Sequence, residues 1–169
     1  MRLLFTLLLV MLPALASAST ARQASLKELV ELSTDIVVGN IEHRESFWQD
    51  QRIYTKHLIS VRETWRGKKT EKTIEVLTLG GVVANLGQSV AGSPKLEQGK
   101  SVLLFMTRDN RAALHPVGLS QGVFYLGSPG PQGQPIGRDL RAFGFLNDES
   151  ASFPDTLETL RARVKEVLQ

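Results

Sequence analysis

The sequence predicts a mainly β domain of five or six strands, with a short helix before the strands and a second helix after them. Short runs rich in β-branched and aromatic residues recur along the chain, and several alternate apolar with polar residues, the period of a half-buried strand. Turn residues separate these runs. Apolar residues at helical spacing occur near the two ends, so a coiled or closed sheet packed against two helices would bury both kinds of element.

The predicted first helix starts at a capping box. Ser25 and Glu28 have the spacing at which each side chain bonds an otherwise unpaired amide at a helix start. Leu29 and Val30 lie on the apolar side of this helix. The helix must end before Asp35 to Gly39, because this β-branched run is typical of a strand.

The first two strands are predicted to form an antiparallel hairpin. Asp35 to Gly39 is the first strand, and Ile53 to Trp65 is the second, with alternate residues on a buried face. The polar stretch Trp48 to Gln51 between them suits a hairpin connection. His57 falls on the buried face, so we expect it to be a hydrogen-bonded group of the core.

The remaining strands are short and are separated by glycine-containing turns. We predict them at Thr73 to Leu79, Ser101 to Met106, Leu114 to Leu119 and Val123 to Leu126, and Phe143 to Leu146 is a candidate for an added edge strand. The run Ser101 to Met106 is apolar on both faces, which indicates a central strand covered on each side.

Two segments of the domain are predicted to be irregular. Val82 to Gln98 has no steady period, and Ser128 to Gly137 is rich in proline and glycine. A closing helix follows, with Pro154 in its first turn. One apolar stripe is predicted on this helix: Leu157, Leu160, Val164 and Leu168.

The beginning of the chain has the three parts of a secretory signal peptide. Arg2 supplies the positive charge, Leu3 to Leu12 supply the apolar run, and small residues precede a cleavage point after Ala18. The run of about ten residues is shorter than the roughly 20 that a membrane-spanning helix needs. We therefore expect residues 1–18 to be removed, no membrane anchor, and a single mature domain at residues 19–169 in the periplasm or secreted from a bacterium.

The composition fits one exported domain that is stabilised by packing. The chain has 169 residues, no cysteine and a net charge of +3, of which Arg2 contributes one. A domain of this size can bury about 70% of its unfolded-chain surface, so it can be stable without disulfides. The small positive charge gives no reason to expect a nucleic-acid partner.

The order of elements resembles the oligonucleotide/oligosaccharide-binding (OB) barrel, and more narrowly the netrin-like modules and tissue inhibitors of metalloproteinases. The resemblance depends on a helix that runs into residues 33–39, and on residues 55–67, which are similar to that family's long second strand and turn. The chain is also similar to a group of uncharacterised exported bacterial proteins, with the shared positions at 92–99, 103–105 and 118–124. The resemblance implies a small five- or six-stranded OB-like β-barrel that binds a partner, with an exported protease as the partner class.

The N-terminus of the mature chain departs from the inhibitors that it resembles. Those inhibitors present the amino group of a disulfide-tethered cysteine to the protease zinc, whereas the predicted mature chain starts at Ser19 and Thr20 without any cysteine. The inhibitory mechanism therefore does not carry over. Thr20 matches the second position of the family, so Ser19 and Thr20 are candidate partner-binding residues.

Neither a catalytic residue nor a metal ligand is predicted. Ser120 lies in a G-x-S-x-G sequence, but a nucleophilic serine there needs a following helix and a later histidine, whereas a strand follows and all three histidines come earlier. His43, His57 and His115 have no close mutual spacing, so we expect no metal site and no cofactor.

Trp48 and Trp65 are further candidate partner-binding residues. Trp48 lies in the predicted hairpin connection, where it is either a lid on the barrel end or an exposed anchor for a partner. Trp65 lies beside a basic stretch from Arg62 to Lys72 and could stack on a base or sugar, although a solvated hairpin explains the lysines better.

The sequence thus predicts an exported, non-enzymatic binding module that contacts a protein partner through its loops. The absence of a coherent catalytic set is the reason for this choice. A barrel that binds a glycan or peptidoglycan fragment is the second hypothesis, and it is motivated by the two tryptophans and the 128–137 loop. A small serine hydrolase that uses Ser120 is the third.

Overall fold

A computed structural model describes residues 20–68, 71–145 and 152–169. The predicted signal peptide, residues 1–18, lies outside the described residues. The strands are β1 Thr20–Ala21, β2 Asp35–Gln49, β3 Arg52–Arg66, β4 Thr73–Leu79, β5 Gly81–Val83, β6 Leu86–Gln88, β7 Ser101–Arg108, β8 Leu114–Pro116, β9 Val123–Leu126, β10 Ile136–Gly137 and β11 Gly144–Phe145. The helices are α1 Leu26–Leu32 and α2 Leu157–Val167. The mainly β architecture with a helix near each end is confirmed.

The capping box predicted at α1 is present. The Glu28 amide donates to Ser25 Oγ at 3.3 Å, and the Ser25 amide donates to Glu28 Oε2 at 2.8 Å. The Arg22 guanidinium beside this carboxylate, together with the Ser25 bonds, lowers the pKa of Glu28 to about 2. At the other end of α1, Arg66 Nη1 donates to the Val30 carbonyl oxygen at 2.8 Å, so the helix is tied to the end of β3.

The antiparallel hairpin of β2 and β3 is confirmed, but it is longer than predicted. Asp50 and Gln51 form its turn with φ of 48° and 65°, the left-handed conformation of a mirror-image turn that matches the twist of the strands. β2 therefore continues past Gly39 to Gln49, and Trp48 lies in the strand rather than in the connection. Polar residues extend the strand because the whole of it pairs with β3.

Seven strands form the main sheet, in the order β10-β9-β7-β2-β3-β4-β8. This differs from the five or six strands predicted. β7 also pairs with β8, so β7, β2, β3, β4 and β8 form a continuous circuit. The β4–β8 pairing is parallel and consists of one residue pair, Val76 with Leu114. β9 and β10 extend the sheet beyond this circuit, so the sheet is not a clean barrel.

The core has two parts, one on each face of the sheet. The part between the sheet and the helices comprises Leu29, Val30, Ile36, Val38, Leu103, Phe105, Val117, Phe124, Leu157, Leu160 and Val164. The part on the other face comprises Val37, Ile41, Ile59, Ile74, Val76, Leu96, Val102, Leu104, Met106, Leu114 and Val123. β7 supplies alternate residues to both parts, which confirms that this strand is central and covered on each side.

Long-range pairing changes three segments of the prediction. The excursion at 82–98 contains the β5–β6 hairpin, and the proline-rich loop at 128–137 contains the short strand β10, which pairs with β9. The strand predicted to reach Leu119 ends at Pro116, and a 3-10 helix occupies Leu119–Gly122 where a β turn was expected. Left-handed backbone at Gly118 and Leu119, with φ of 59° and 61°, redirects the chain at this point.

The closing helix α2 differs from the prediction at both ends. Thr156 is its N-cap and accepts a hydrogen bond from the Thr159 amide at 3.4 Å, so Pro154 precedes the helix. Leu157, Leu160 and Val164 are buried as predicted, but Leu168 is exposed beyond the last turn. Within the described ranges, the structure contains no helix that is long and apolar enough to cross a membrane.

Candidate functional site

Trp48 lies at the tip of the β2–β3 hairpin, next to a second hairpin. It is 49% exposed. Its register partner Ile53 donates its amide to Gln88 Oε1 at 2.6 Å, which attaches β6 to the tip of β3. The Gly80 amide donates to the Ile53 carbonyl oxygen at 2.7 Å, which attaches the start of β5. Both hairpins are thus held at the same place.

Both hairpins expose large apolar side chains, and the β5–β6 register places Val82 and Leu86 on opposite faces of their hairpin. Val82 on β5 is 66% exposed, and Leu86 on β6 is 61% exposed. We call Trp48, Val82 and Leu86 the tip surface. Behind Trp48, the rings of Phe47 and Tyr54 stack with their centres 6.2 Å apart, which stiffens the tip. Large apolar side chains that are exposed on adjacent hairpins are candidates for contact with another molecule.

Trp65 has a structural position instead. Its ring packs against the helix-side core, and its Nε1 donates to Glu63 Oε2 at 3.0 Å. The Arg161 guanidinium of α2 lies 5.6 Å from the ring centre and forms an ion pair with Glu63. Trp65 thus joins β3 to α2. The structure describes no pocket that both tryptophans line.

Thr20 is the predicted N-terminal candidate that the structure describes. Ser19 is outside the described residues. Thr20 belongs to β1, whose backbone pairs in parallel with β11 through Thr20 and Gly144. The start of the described chain is therefore held in a small sheet of its own.

Ser120 lies in the 3-10 helix and not at a strand-to-helix turn. Its amide donates to the Gly92 carbonyl oxygen at 2.9 Å. Among the described residues, neither a histidine nor a carboxylate hydrogen-bonds its hydroxyl, so no base is placed to activate it.

The three histidines do not converge. His57 is 2% exposed, and its Nε2 lies 2.9 Å from Thr78 Oγ1, which places it in the core as expected. His115 Nε2 lies 3.1 Å from Asp109 Oδ2, and His43 is exposed on β2. In the part of the chain that the structure describes, no group of three histidine or carboxylate side chains could hold a metal ion.

A groove of about 450 Å³ with polar residues in its floor was missed by the sequence analysis. Its floor comprises Arg44, Thr55, His57 and Thr78, on β2, β3 and β4. Its roof comes from the segment that was predicted to be irregular, with residues 80–82 and 88–97 lining it. Burial, and then the Arg44 guanidinium, lower the pKa of His57 to about 4, so the ring is neutral at neutral pH.

The sequence did carry a signal for this groove. Thr55 and His57 are inward-facing positions of β3 in the predicted alternation, and polar residues at such positions demand partners. Ser46 supplies one partner, because its hydroxyl lies 2.9 Å from Thr55 Oγ1. Thr78 supplies another on β4. These partners could not be assigned before the strand register was known.

Comparison with known proteins gives no match: no family model, no curated protein and no solved structure is significantly similar to this chain.

Proposed function

We propose that this protein is an exported, non-enzymatic binding module with an OB-like barrel, and that it binds a protein partner through the tip surface. Export follows from the signal peptide that the first 18 residues predict. The barrel is supported by the five-strand circuit, whose closure through the single Val76–Leu114 pair suits the partly open barrel of the OB fold.

The exposure of Trp48, with Val82 and Leu86 exposed on the adjacent β5–β6 hairpin, carries the proposal of a protein partner. Tryptophan is enriched among the residues that supply most of the energy of protein interfaces, and neighbouring apolar contacts exclude water around it. The tip surface is held by the hydrogen bonds of Ile53 to both flanking segments. A pre-organised surface loses less conformational entropy on binding.

The test is capture of a partner from the native exported fraction with the purified mature chain. The double variant Trp48→Ser, Leu86→Ser should lose the captured protein. Leu32→Ser is the matched control, because Leu32 is 60% exposed but belongs to α1, outside the tip surface. A chain that retains no specific protein, or a double variant that retains it as well as the wild type, would count against the proposal.

An exported protease is the partner class that we propose first, on the resemblance alone. The test compares exported proteases with and without the purified chain. Inhibition that the Trp48→Ser, Leu86→Ser variant loses would support this class. Inhibition that the variant keeps would place the protease contact elsewhere on the domain.

The two alternatives from the sequence receive less support from the geometry. The glycan hypothesis used Trp48, Trp65 and the 128–137 loop together, but Trp65 packs against α2. If no glycan of a tested panel changed the tryptophan fluorescence, the glycan hypothesis would lose most of its support. If a hydrolase activity is detected and Ser120→Ala retains all of it, the hydrolase hypothesis is excluded.

A further inference from the structure

The groove beneath the β5–β6 hairpin has properties of a second site, which shares Val82 with the tip surface but includes neither Trp48 nor Leu86. We propose that this groove binds a small carboxylate, which Arg44 holds as an ion pair and His57 contacts as a hydrogen-bond donor. This proposal does not depend on the proposed protein partner. It is derived from an unpartnered buried atom, the strand register, the glycines of the roof and the charges around the groove.

His57 Nδ1 is buried and has no hydrogen-bond partner among the residues that the structure describes. Buried polar atoms are paired in the great majority of cases, and leaving one unpaired costs about 1–3 kcal/mol. The other ring nitrogen is paired with the Thr78 hydroxyl at 2.9 Å. If that hydroxyl donates, the ring proton is on Nδ1, which then lacks an acceptor. A carboxylate oxygen would supply it.

The strand register places a cation next to this donor. Arg44 on β2 is the register partner of His57 on β3, and both line the groove. Arg44 is exposed, and no carboxylate of the described residues forms an ion pair with it. Its charge acts on His57, since it contributes to the lowered pKa of the imidazole. An anion bound between the two side chains would neutralise Arg44 and would also accept a hydrogen bond from His57.

Two glycines allow the roof to lie directly on the floor of the groove. Gly80 and Gly81 have φ of +88° and +139°, which side-chain-bearing residues rarely adopt. A Cβ at Gly81 would lie 2.4 Å from both Ser46 Oγ and Thr55 Oγ1, so the backbone rests directly on the floor hydroxyls. The Thr55 hydroxyl donates to the Gly80 carbonyl oxygen at 2.7 Å and fixes this contact.

The other wall of the roof is adaptable. Residues 89–100 contain no helix or strand, so a small displacement there can open Nδ1 to a ligand. Lys95 and Glu97 also line the groove from this wall, and both residues are exposed. The groove thus offers two cations and one anion, which favours an acid.

The size and lining of the groove limit the ligand class. A volume of about 450 Å³ lies within the range of small-molecule sites. None of the described residues that line it is phenylalanine, tyrosine or tryptophan, so a sugar has no ring on which to stack. A small organic acid and the C-terminal carboxylate of a peptide share the chemistry that remains.

The experiment is an NMR titration of the mature chain, in which the imidazole ¹⁵N signals of His57 are followed. The probes are alanyl-alanine, its C-terminal amide and succinate, because the first two differ in the carboxylate alone. We expect saturable shifts at His57 with alanyl-alanine and none with the amide. Succinate that binds equally well would identify a general site for small acids, whereas its failure to bind would identify a peptide C-terminus.

The variants test the roles of the two residues. Arg44→Gln should weaken binding about tenfold or more, because a hydrogen-bonded charge is lost. Arg62→Gln is the matched control, since it removes the same charge from an exposed residue of β3 that does not line the groove. Bound alanyl-alanine should also raise the pKa of His57, and Arg44→Gln should reduce that rise.

Three outcomes would overturn the proposal: no saturable shift with either acid, equal binding of the amide, or unchanged affinity in Arg44→Gln. Trp48→Ser separates this site from the tip surface, because it should abolish partner capture and leave alanyl-alanine binding unchanged.

Discussion

The two halves of strand β2 have the same backbone conformation and opposite environments. Residues 35–41 are buried except for Asn40, whereas residues 42–49 are exposed or half-buried. The first half pairs with β3 on one edge and β7 on the other; the second half pairs with β3 alone. A register shift between Ile41 and His43 separates them.

This comparison shows how one hairpin can serve both stability and binding. The first half of β2 contributes to both parts of the core, because β7 and the helices cover it. The second half extends beyond β7 and supplies Arg44 to the groove and Trp48 to the tip surface. Changes in the first half should therefore alter unfolding, and changes in the second should alter binding.

The largest effect on stability is expected in the first half. Ile36→Ala should lower the free energy of unfolding by about 3 kcal/mol, because a fully buried side chain leaves a cavity. Phe47→Ala, in the second half, is the control and should cost about 1 kcal/mol through the lost stacking on Tyr54. Urea unfolding of both variants measures the difference, and equal losses would contradict the division.

The second prediction concerns His57, the buried titratable group of the groove floor. The pKa of His57 is about 4 in the folded state, against an ordinary value of 6.5 in the unfolded chain. Between pH 4 and 6.5, only the unfolded chain therefore binds a proton at this residue. The contribution of His57 to the free energy of unfolding is fully present above pH 6.5. As the pH falls towards 4, this contribution decreases by about 3 kcal/mol. The variant His57→Gln should not show this decrease. The measurement is the free energy of unfolding of both proteins at several pH values from 7 to 4. If the free energy of unfolding depended on pH in the same way in the wild type and in His57→Gln, the prediction would be contradicted.

The third prediction concerns the ion pair at the start of β2. Asp35 is buried and accepts from Arg108 Nε and Nη2 at 3.0 and 2.9 Å. Asp35→Asn should lower the free energy of unfolding by about 2 kcal/mol, since a buried charged hydrogen bond is lost. Asp139→Asn breaks an exposed ion pair with Arg141 and should cause no measurable change in the free energy of unfolding. Thermal unfolding of both variants compares them.

The smallest change in stability is expected at the tip surface. Trp48→Ser and Leu86→Ser should each change the free energy of unfolding by about 0.5 kcal/mol or less, because both side chains are exposed. Chemical denaturation measures this. A large loss at Trp48 would mean that the residue is part of the fold, and partner capture by that variant would then need a different interpretation.

Local patterns predicted much of the fold and little of the site. The capping box of α1, the bounds of β4 and β9 and the buried faces of β7 are as predicted, because each follows from neighbouring residues. The extension of β2 to Gln49 was missed, since polar residues such as Glu45 and Gln49 carry no strand signal of their own. Pairing with β3 supplies their backbone hydrogen bonds instead.

The candidate site shows the same division. The sequence singled out Trp48 by its type and its polar surroundings, but its neighbours Val82 and Leu86 come from a segment without a regular period. The partners of His57 come from β2, β4 and the roof. Such contacts join residues that are far apart in the chain, and no local pattern encodes them.

The sequence by itself therefore determined the presence of both helices and of strands β3, β4, β7 and β9 with their buried faces, because alternation and helical spacing are properties of neighbouring residues. The tertiary structure decided the closure of the strand circuit, the fold of the 81–100 segment over β3, and the meeting of Arg44 with His57. These features depend on register and on pairing between distant segments, where a shift of one residue would turn each side chain to the opposite face.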